Sequence, residues 1–152
     1  MKAEEDSVSA IEPWLIAESV AMVGFEDGCF IGEESVEPQD RDLEERTACF
    51  GEAMIDFCRQ IPRDAITERI LSQLVGCSTS IGANYCEAQG AVSKKEFALR
   101  TATCRKEAHE RKFFIRMAAR AFPTLKSEAR KLWIEADELH KIMAWIHNKV
   151  RA

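Results

Sequence analysis

Three histidines, six cysteines and two glutamates three residues apart are the groups with the chemistry for metal ligation or nucleophilic catalysis. Their spacing does not support either. His140 and His147 lie two helical turns apart, about 10 Å along an axis, too far to share an ion, and His109 is remote in sequence. The cysteines (Cys29, Cys49, Cys58, Cys77, Cys86, Cys104) contain no CxxC pair, and Cys77 and Cys86 would point to different sides of one helix. Glu107 and Glu110 have the i, i+3 step used in carboxylate metal bundles, yet the Glu-x-x-His partner such bundles need is missing. GxGxxG, GxxxxGK[ST], GxSxG and HExxH are absent. The sequence therefore predicts no catalytic residue, no metal, no cofactor and no enzyme, with most cysteines serving as small core residues in a reducing compartment.

CSTSIGANYCEA, Cys77 to Ala88, has the composition of a phosphate loop but not its setting. No strand precedes it, and apolar residues keep a helical period on both sides. Ser78, Gly82 and Asn84 are instead expected to pack helices, with Ala83 helping a neighbour approach closely. Ser80 and Asn84 would hydrogen-bond across that contact or to their own backbone.

Cations carry the stronger signal. Lys94, Arg105, His109, Lys112, Arg116 and Arg120 recur on one side of a helix, and Lys126, Arg130 and Lys131 follow at the start of the next. Residues 93–131 hold twelve Lys/Arg against four Asp/Glu. Such a ridge can neutralise phosphates, with binding that weakens steeply in salt. Lys94, Arg105, Lys112, Arg116, Arg120, Lys126, Arg130 and Lys131 are the expected nucleic-acid contacts. The same helix carries a second apolar stripe of Leu99, Phe113, Phe114 and Met117 outside its core face. A monomeric bundle needs one such stripe per helix, so this one predicts an oligomer interface, or else a surface covered by the N-terminal segment.

The elements that must position these groups are helices. Asp42 with Glu45 forms a capping box ahead of Leu43, Thr47, Phe50, Met54, Phe57 and Ile61, and Pro62 stops the run. Asp64 caps a second helix with stripe Ile66, Ile70, Leu74, Cys77, Ile81, Tyr85 and Ala88, ending near Gly90. Ser93 with Glu96 opens a third helix, with Phe97, Cys104, Ala108, Ile115 and Phe122 facing the core, before Pro123. Thr124 caps a fourth, whose Leu125, Ala129, Leu132, Ala136, Leu139, Met143, Ile146 and Val150 hold a seven-residue repeat. The prediction is an all-α, up-down-up-down antiparallel four-helix bundle over 41–152. Residues 1–40 form an acidic, variable N-terminal extension, with eleven Asp/Glu against Lys2, while 41–152 carry a net +5 within a total of −5 over 152 residues. With 46% apolar and 31% charged residues the composition is that of a globular domain. Neither a secretory leader nor a membrane-spanning apolar run is visible, which predicts a cytoplasmic protein.

STSIGANYCEA (Ser78 to Ala88), SKKEF (Ser93 to Phe97) and KEAHERKFFIRM (Lys106 to Met117), in that order, resemble the bacterial four-helix-bundle family named for proteins encoded in intervening sequences of 23S ribosomal RNA genes. DLEERTACF (Asp42 to Phe50) is similar to its N-terminal segment, and the resemblance spans about residues 42–148. It implies a small bundle, a ring-like homopentamer and, in the branch of retroelement accessory variability determinants, binding to nucleic acid and a reverse transcriptase. Phe113-Phe114 stands where the family usually has a Tyr-Trp type pair, and residues 1–40 lie outside the common pattern. The expected function is thus a non-enzymatic homo-oligomer that binds RNA, DNA or a nucleic-acid enzyme. The alternative is a protein-interaction scaffold using the surface near Phe113 and Phe114.

Overall fold

The computed structural model describes residues 43–151; the expectations for the acidic extension, and Asp42's half of the capping box, lie outside them. Four α-helices follow one another: α1 Leu43–Arg59, α2 Thr67–Gln89, α3 Lys94–Ala121 and α4 Lys126–Arg151. A 3₁₀ turn, Pro123–Leu125, joins α3 to α4. No strand occurs among the described residues, and none of their helices is long and apolar enough to cross a membrane.

Local chemistry sets the ends. Asp64 holds the entry to α2 from outside the helix: its carboxylate accepts from the backbone N–H groups of Ile66 (2.8 Å) and Thr67 (2.7 Å). The Thr67 hydroxyl accepts from the Asp64 N–H in return. Ser93 caps α3 as expected, its hydroxyl accepting from Glu96 N–H, while the Glu96 carboxylate reaches back to Val92 N–H rather than to Ser93. Thr124 does not begin α4 directly; it sits inside the 3₁₀ turn that Pro123 opens, and the α-helix starts at Lys126.

Each helix buries one seam. The set expected for α1, Leu43, Thr47, Phe50, Met54, Phe57 and Ile61, is buried throughout, with Ile61 two residues beyond the end of the helix. On α2 the expected stripe is displaced at its start: Ile66 is 70% exposed, Ile70 and Cys77 are half-buried, and the core takes Thr67, Leu71 and Ser78 instead. The buried set 67, 71, 74, 78, 81, 85 and 88 steps strictly by four and three, the coiled-coil seam, whereas Ile66 and Cys77 fall beside it. Cys58 and Cys104 are core residues, their thiols pushed up to about 11 and about 12 by burial. Cys49 and Cys77 are half-buried and Cys86 exposed, so core service is not general to the cysteines.

The register is antiparallel at every neighbouring pair. Between α1 and α2, Gly51 approaches the Ser78 carbonyl and Gly82 approaches Thr47. Between α2 and α3, Glu87 bonds Arg100 at 2.6 Å, the Cys104 thiol contacts the Ile81 carbonyl, and Arg111 donates to the Leu74 carbonyl at 2.7 Å. Between α3 and α4, the Ala98 carbonyl meets His147 and Lys112 meets Asp137. Arg46 closes the ring with a two-pronged bond to Glu135, at 2.7 and 3.0 Å, from α1 to α4.

Gly82 is the close-approach point of α1 and α2. A Cβ there would lie 3.3 Å from the Thr47 hydroxyl and 3.6 Å from its Cβ. Ser78 beside it is fully buried and returns its hydroxyl to the Leu74 carbonyl, so a polar residue enters the seam without an orphaned group. Asn84 is only half-buried and donates to Ser80 O of its own helix, and Ala83 is exposed; neither shapes the contact. Gly82→Val, which branches at Cβ, is expected to destabilise the bundle by about 1–3 kcal/mol through overpacking. Gly76→Ala, with nothing near its added carbon, should stabilise by about 0.5–1 kcal/mol; urea denaturation of the two variants compares them directly.

Candidate nucleic-acid interface

The cations of α3 do not form one continuous ridge. Lys94 and Arg116 are 22 positions apart on α3, about 33 Å along the axis at 1.5 Å per residue. Lys94 stands at the end of the bundle where α3 begins and α4 finishes, beside a shallow groove of about 430 Å³ that Lys95, Leu99, His147 and Arg151 also line. Arg116 stands near the other end, beside a groove of about 360 Å³ between α3 and α4. Ile115, Ala119, Ala129, Trp133 and Ile134 give that groove an apolar lining, and Arg116, Lys126 and Arg130 supply three cations.

Charge compensation differs sharply along α3. Lys112 is expected to reach phosphate, but the structure turns it inward: its side chain is 16% exposed and its ammonium donates to Asp137 at 2.6 Å. It also lies 3.3 Å from His140 Nδ1 and 5.6 Å from the Trp133 ring centre. Asp137, bound by Lys112 first and by Lys141 at 3.0 Å, has its carboxyl held below the usual range. Lys112 is therefore a strut between α3 and α4. Arg116, Lys126 and Arg130 have no ion pair among the described residues. Arg120 and Lys131 are exposed near them, and Arg105 is half-buried two turns before Lys112.

The arrangement at the second groove is electrostatically unfavourable without an anion. Arg116 and Arg120 are a like-charge i, i+4 pair on α3, and Lys126 and Arg130 are another on α4; each costs a few tenths of a kcal/mol. Lys126 and Arg130 also occupy the first turns of α4, where the backbone dipole is already positive. An anionic ligand above Ile115 and Ala129 would relieve all three repulsions together, with the apolar lining available to a planar or hydrocarbon group.

The expected apolar interface also divides. Leu99 is 64% exposed within the first groove and Phe113 is 56% exposed half a helix away. Phe114 turns towards the core and meets Phe113 edge to face at 5.3 Å; Met117 is half-buried. The outward apolar group on this stretch is Phe113 with the edge of Met117.

Arg111 escapes a reading based on charge. It is fully buried, on the core seam 97, 101, 104, 108, 111, 115 and 118 of α3. Its Nη1 donates to the Gln73 and Leu74 carbonyls at 3.2 and 2.7 Å, and burial pulls its pKa down despite the neighbouring Cys77 and Glu107. The heptad step is the signal that could have placed it. Asp137 and Glu135, the anions that restrain Lys112 and Arg46, carry no such signal, because their partners sit 25 and 89 residues away.

His140 reports on the strut. It packs edge to face on His109 at 5.2 Å. Burial first, then the charges of Lys112, His109 and Arg105, hold it below its ordinary 6.5, with Asp137 opposing. The unfolded chain then binds a proton that the folded chain resists, so stability falls as pH drops below 6.5. The depressed Asp137 carboxyl adds a loss of the same sign at lower pH. His140→Gln should shallow the loss of urea stability between about pH 7 and pH 5, the window of an ordinary histidine. An unchanged pH profile would show that this ring does not contribute to it.

Comparison with family models, with curated proteins and with solved structures found no match to this chain.

Proposed function

We propose that this protein is a non-enzymatic helical bundle that binds nucleic acid through the α3–α4 groove, as a homo-oligomer. The observation that carries the reading is the convergence of Arg116, Lys126 and Arg130 on one groove without a carboxylate partner among the described residues. A phosphodiester backbone matches that chemistry: repeated single negative charges for the rim, with a flat base or sugar for the apolar lining. Arg120, Lys131 and Arg105 extend the positive surface on either side, and Lys94 with Lys95 and Arg151 offers a second, remote cluster. The resemblance to the intervening-sequence family points to the same partners, an RNA, a DNA or an enzyme that acts on them, and to a pentamer.

The triple variant Arg116→Glu, Lys126→Glu, Arg130→Glu should lose retention of RNA and DNA oligonucleotides at low salt. For wild type, three phosphate contacts imply a slope of log affinity against log salt of about −2 on single strands. Lys112→Gln should leave that slope unchanged while lowering stability, because its charge is spent on Asp137. If wild-type protein shows no salt-sensitive binding to either polymer in fluorescence anisotropy, the nucleic-acid reading fails. The second reading, a protein-interaction scaffold, rests on exposed Phe113, and partners retained through nuclease and high salt would favour it.

Phe113 also carries the oligomer expectation. Phe113→Asp should shift the mass from light scattering towards one chain, with helicity unchanged. A wild-type chain that is already monomeric overturns the oligomer.

A further inference from the structure

Away from the α3–α4 groove, on the opposite flank of α3, three ligand-bearing side chains meet. Cys77 of α2 and Glu107 and Glu110 of α3 place one sulfur and two carboxylate oxygens within 4.8 Å of one another, all three residues half-buried. Glu107 and Glu110 share a face because they are three residues apart on one helix. Cys77 reaches them because it falls beside the α2 seam and not in it. The antiparallel register that joins Arg111 to Leu74 brings this turn of α2 against that turn of α3.

Carboxylates and a thiol near each other are common on helical surfaces. What marks this group is Arg111. Its side chain is entirely buried and lies against the Cys77 thiol. Nη1 is satisfied by the Gln73 and Leu74 carbonyls, but Nε and Nη2 have no hydrogen-bond acceptor among the described residues. A neutral thiol is a poor acceptor for a guanidinium, whereas a thiolate is a charged one.

We infer that Cys77, Glu107 and Glu110 form a site for one zinc-class divalent ion, with Arg111 supporting the sulfur ligand from behind. On binding, the Cys77 S–H bond gives way to a metal–sulfur bond and the proton leaves to solvent. The buried Arg111 guanidinium then has an anionic sulfur beside it, the kind of outer contact that orients metal ligands. Charge is compensated as well: one thiolate and two carboxylates meet the divalent ion and the guanidinium, with Lys106 at the rim. Thiolate in the donor set selects zinc and its borderline-soft neighbours over magnesium and calcium. Tetrahedral coordination needs donor atoms about 3.5 Å apart, from metal–ligand distances near 2.0–2.3 Å. Closing from within 4.8 Å therefore asks the donor atoms to draw together by about 1 Å. Glu110 retains an oxygen for Lys106, now 3.6 Å away. Three protein ligands leave a fourth position to water, and the ion would clamp α2 to α3.

Cobalt(II) titrated into the full chain reads the site directly, because thiolate ligation gives a near-ultraviolet charge-transfer band and tetrahedral geometry intensifies the visible bands. The expected result is one cobalt per chain with both signatures, displaced by equimolar zinc but not by excess magnesium, and a thermal midpoint raised by zinc. Cys77→Ser should abolish the charge-transfer band, and Glu107→Gln with Glu110→Gln should weaken binding at least about tenfold. The glutamate variant changes half-exposed positions and keeps the test decisive if Cys77→Ser impairs folding. Absence of a thiolate band in wild type, its persistence in folded Cys77→Ser, or undiminished affinity in the glutamate variant overturns the site. None of these readouts depends on nucleic-acid binding, so the two readings stand or fall separately.

Discussion

One repeat governs the centre of this molecule: along α2 and α3 the buried residues advance by alternating steps of four and three. That step under-winds each seam to the period of a coiled coil, so neighbours can stay in contact over their whole length. Once Gly82 lets α2 settle against Thr47 and Arg111 reaches the Leu74 carbonyl, the register is locked at two seams and every surface group has a fixed height. The functional features follow from that placement. α3 packs against α2 on one flank and α4 on the other, and the two flanks differ in chemistry: Glu107 and Glu110 gather with Cys77 towards α2, whereas Arg116 lines a groove with Lys126 and Arg130 towards α4.

The same repeat explains an apparent expense. Arg111 occupies a seam position where an apolar residue of similar length would pack without loss, and a buried donor left without an acceptor costs about 1–3 kcal/mol. Two of its donors are in that condition. Replacing buried ions by hydrocarbon is often neutral or stabilising, so an arginine here is not explained by cohesion of the bundle. It is accounted for if its guanidinium has an anion to support at the α2–α3 seam.

Much of this was legible in the sequence. Helix number, order and class follow from period and punctuation, with Pro62, Gly90 and Pro123 interrupting sustained apolar stripes. The Ser93 cap is local chemistry, readable over four residues. What was not legible is instructive in a physical way. By hydrophobicity Ile66 and Ile70 rank above Thr67 and Leu71 as the start of a core stripe; the Asp64–Thr67 hydrogen bonds set the first turn so that the Thr67 hydroxyl is buried against Pro62 O instead. Thr67 is satisfied there, so its polarity is no obstacle to burial. The Cys77–Glu107–Glu110 group was invisible because its members come together only through inter-helix register.

Charge shows the limit of sequence most clearly. Lys112 and Arg116 are one helical turn apart, of like charge and on the same side, and no rule of spacing separates them. The fold does so by what it sets opposite: Asp137 faces Lys112 at 2.6 Å, whereas Arg116 faces Lys126 and Arg130 across the groove. Neutralised, the first contributes to holding α3 on α4, and replacing it would be felt as lost stability. The others raise the energy of the folded chain slightly and can recover that cost only by meeting an anion. A cation whose charge is already compensated acts in the structure, and one held among its own kind is available to a ligand. Counting twelve basic residues over 93–131 cannot make that distinction, and the register of α4 against α3 does.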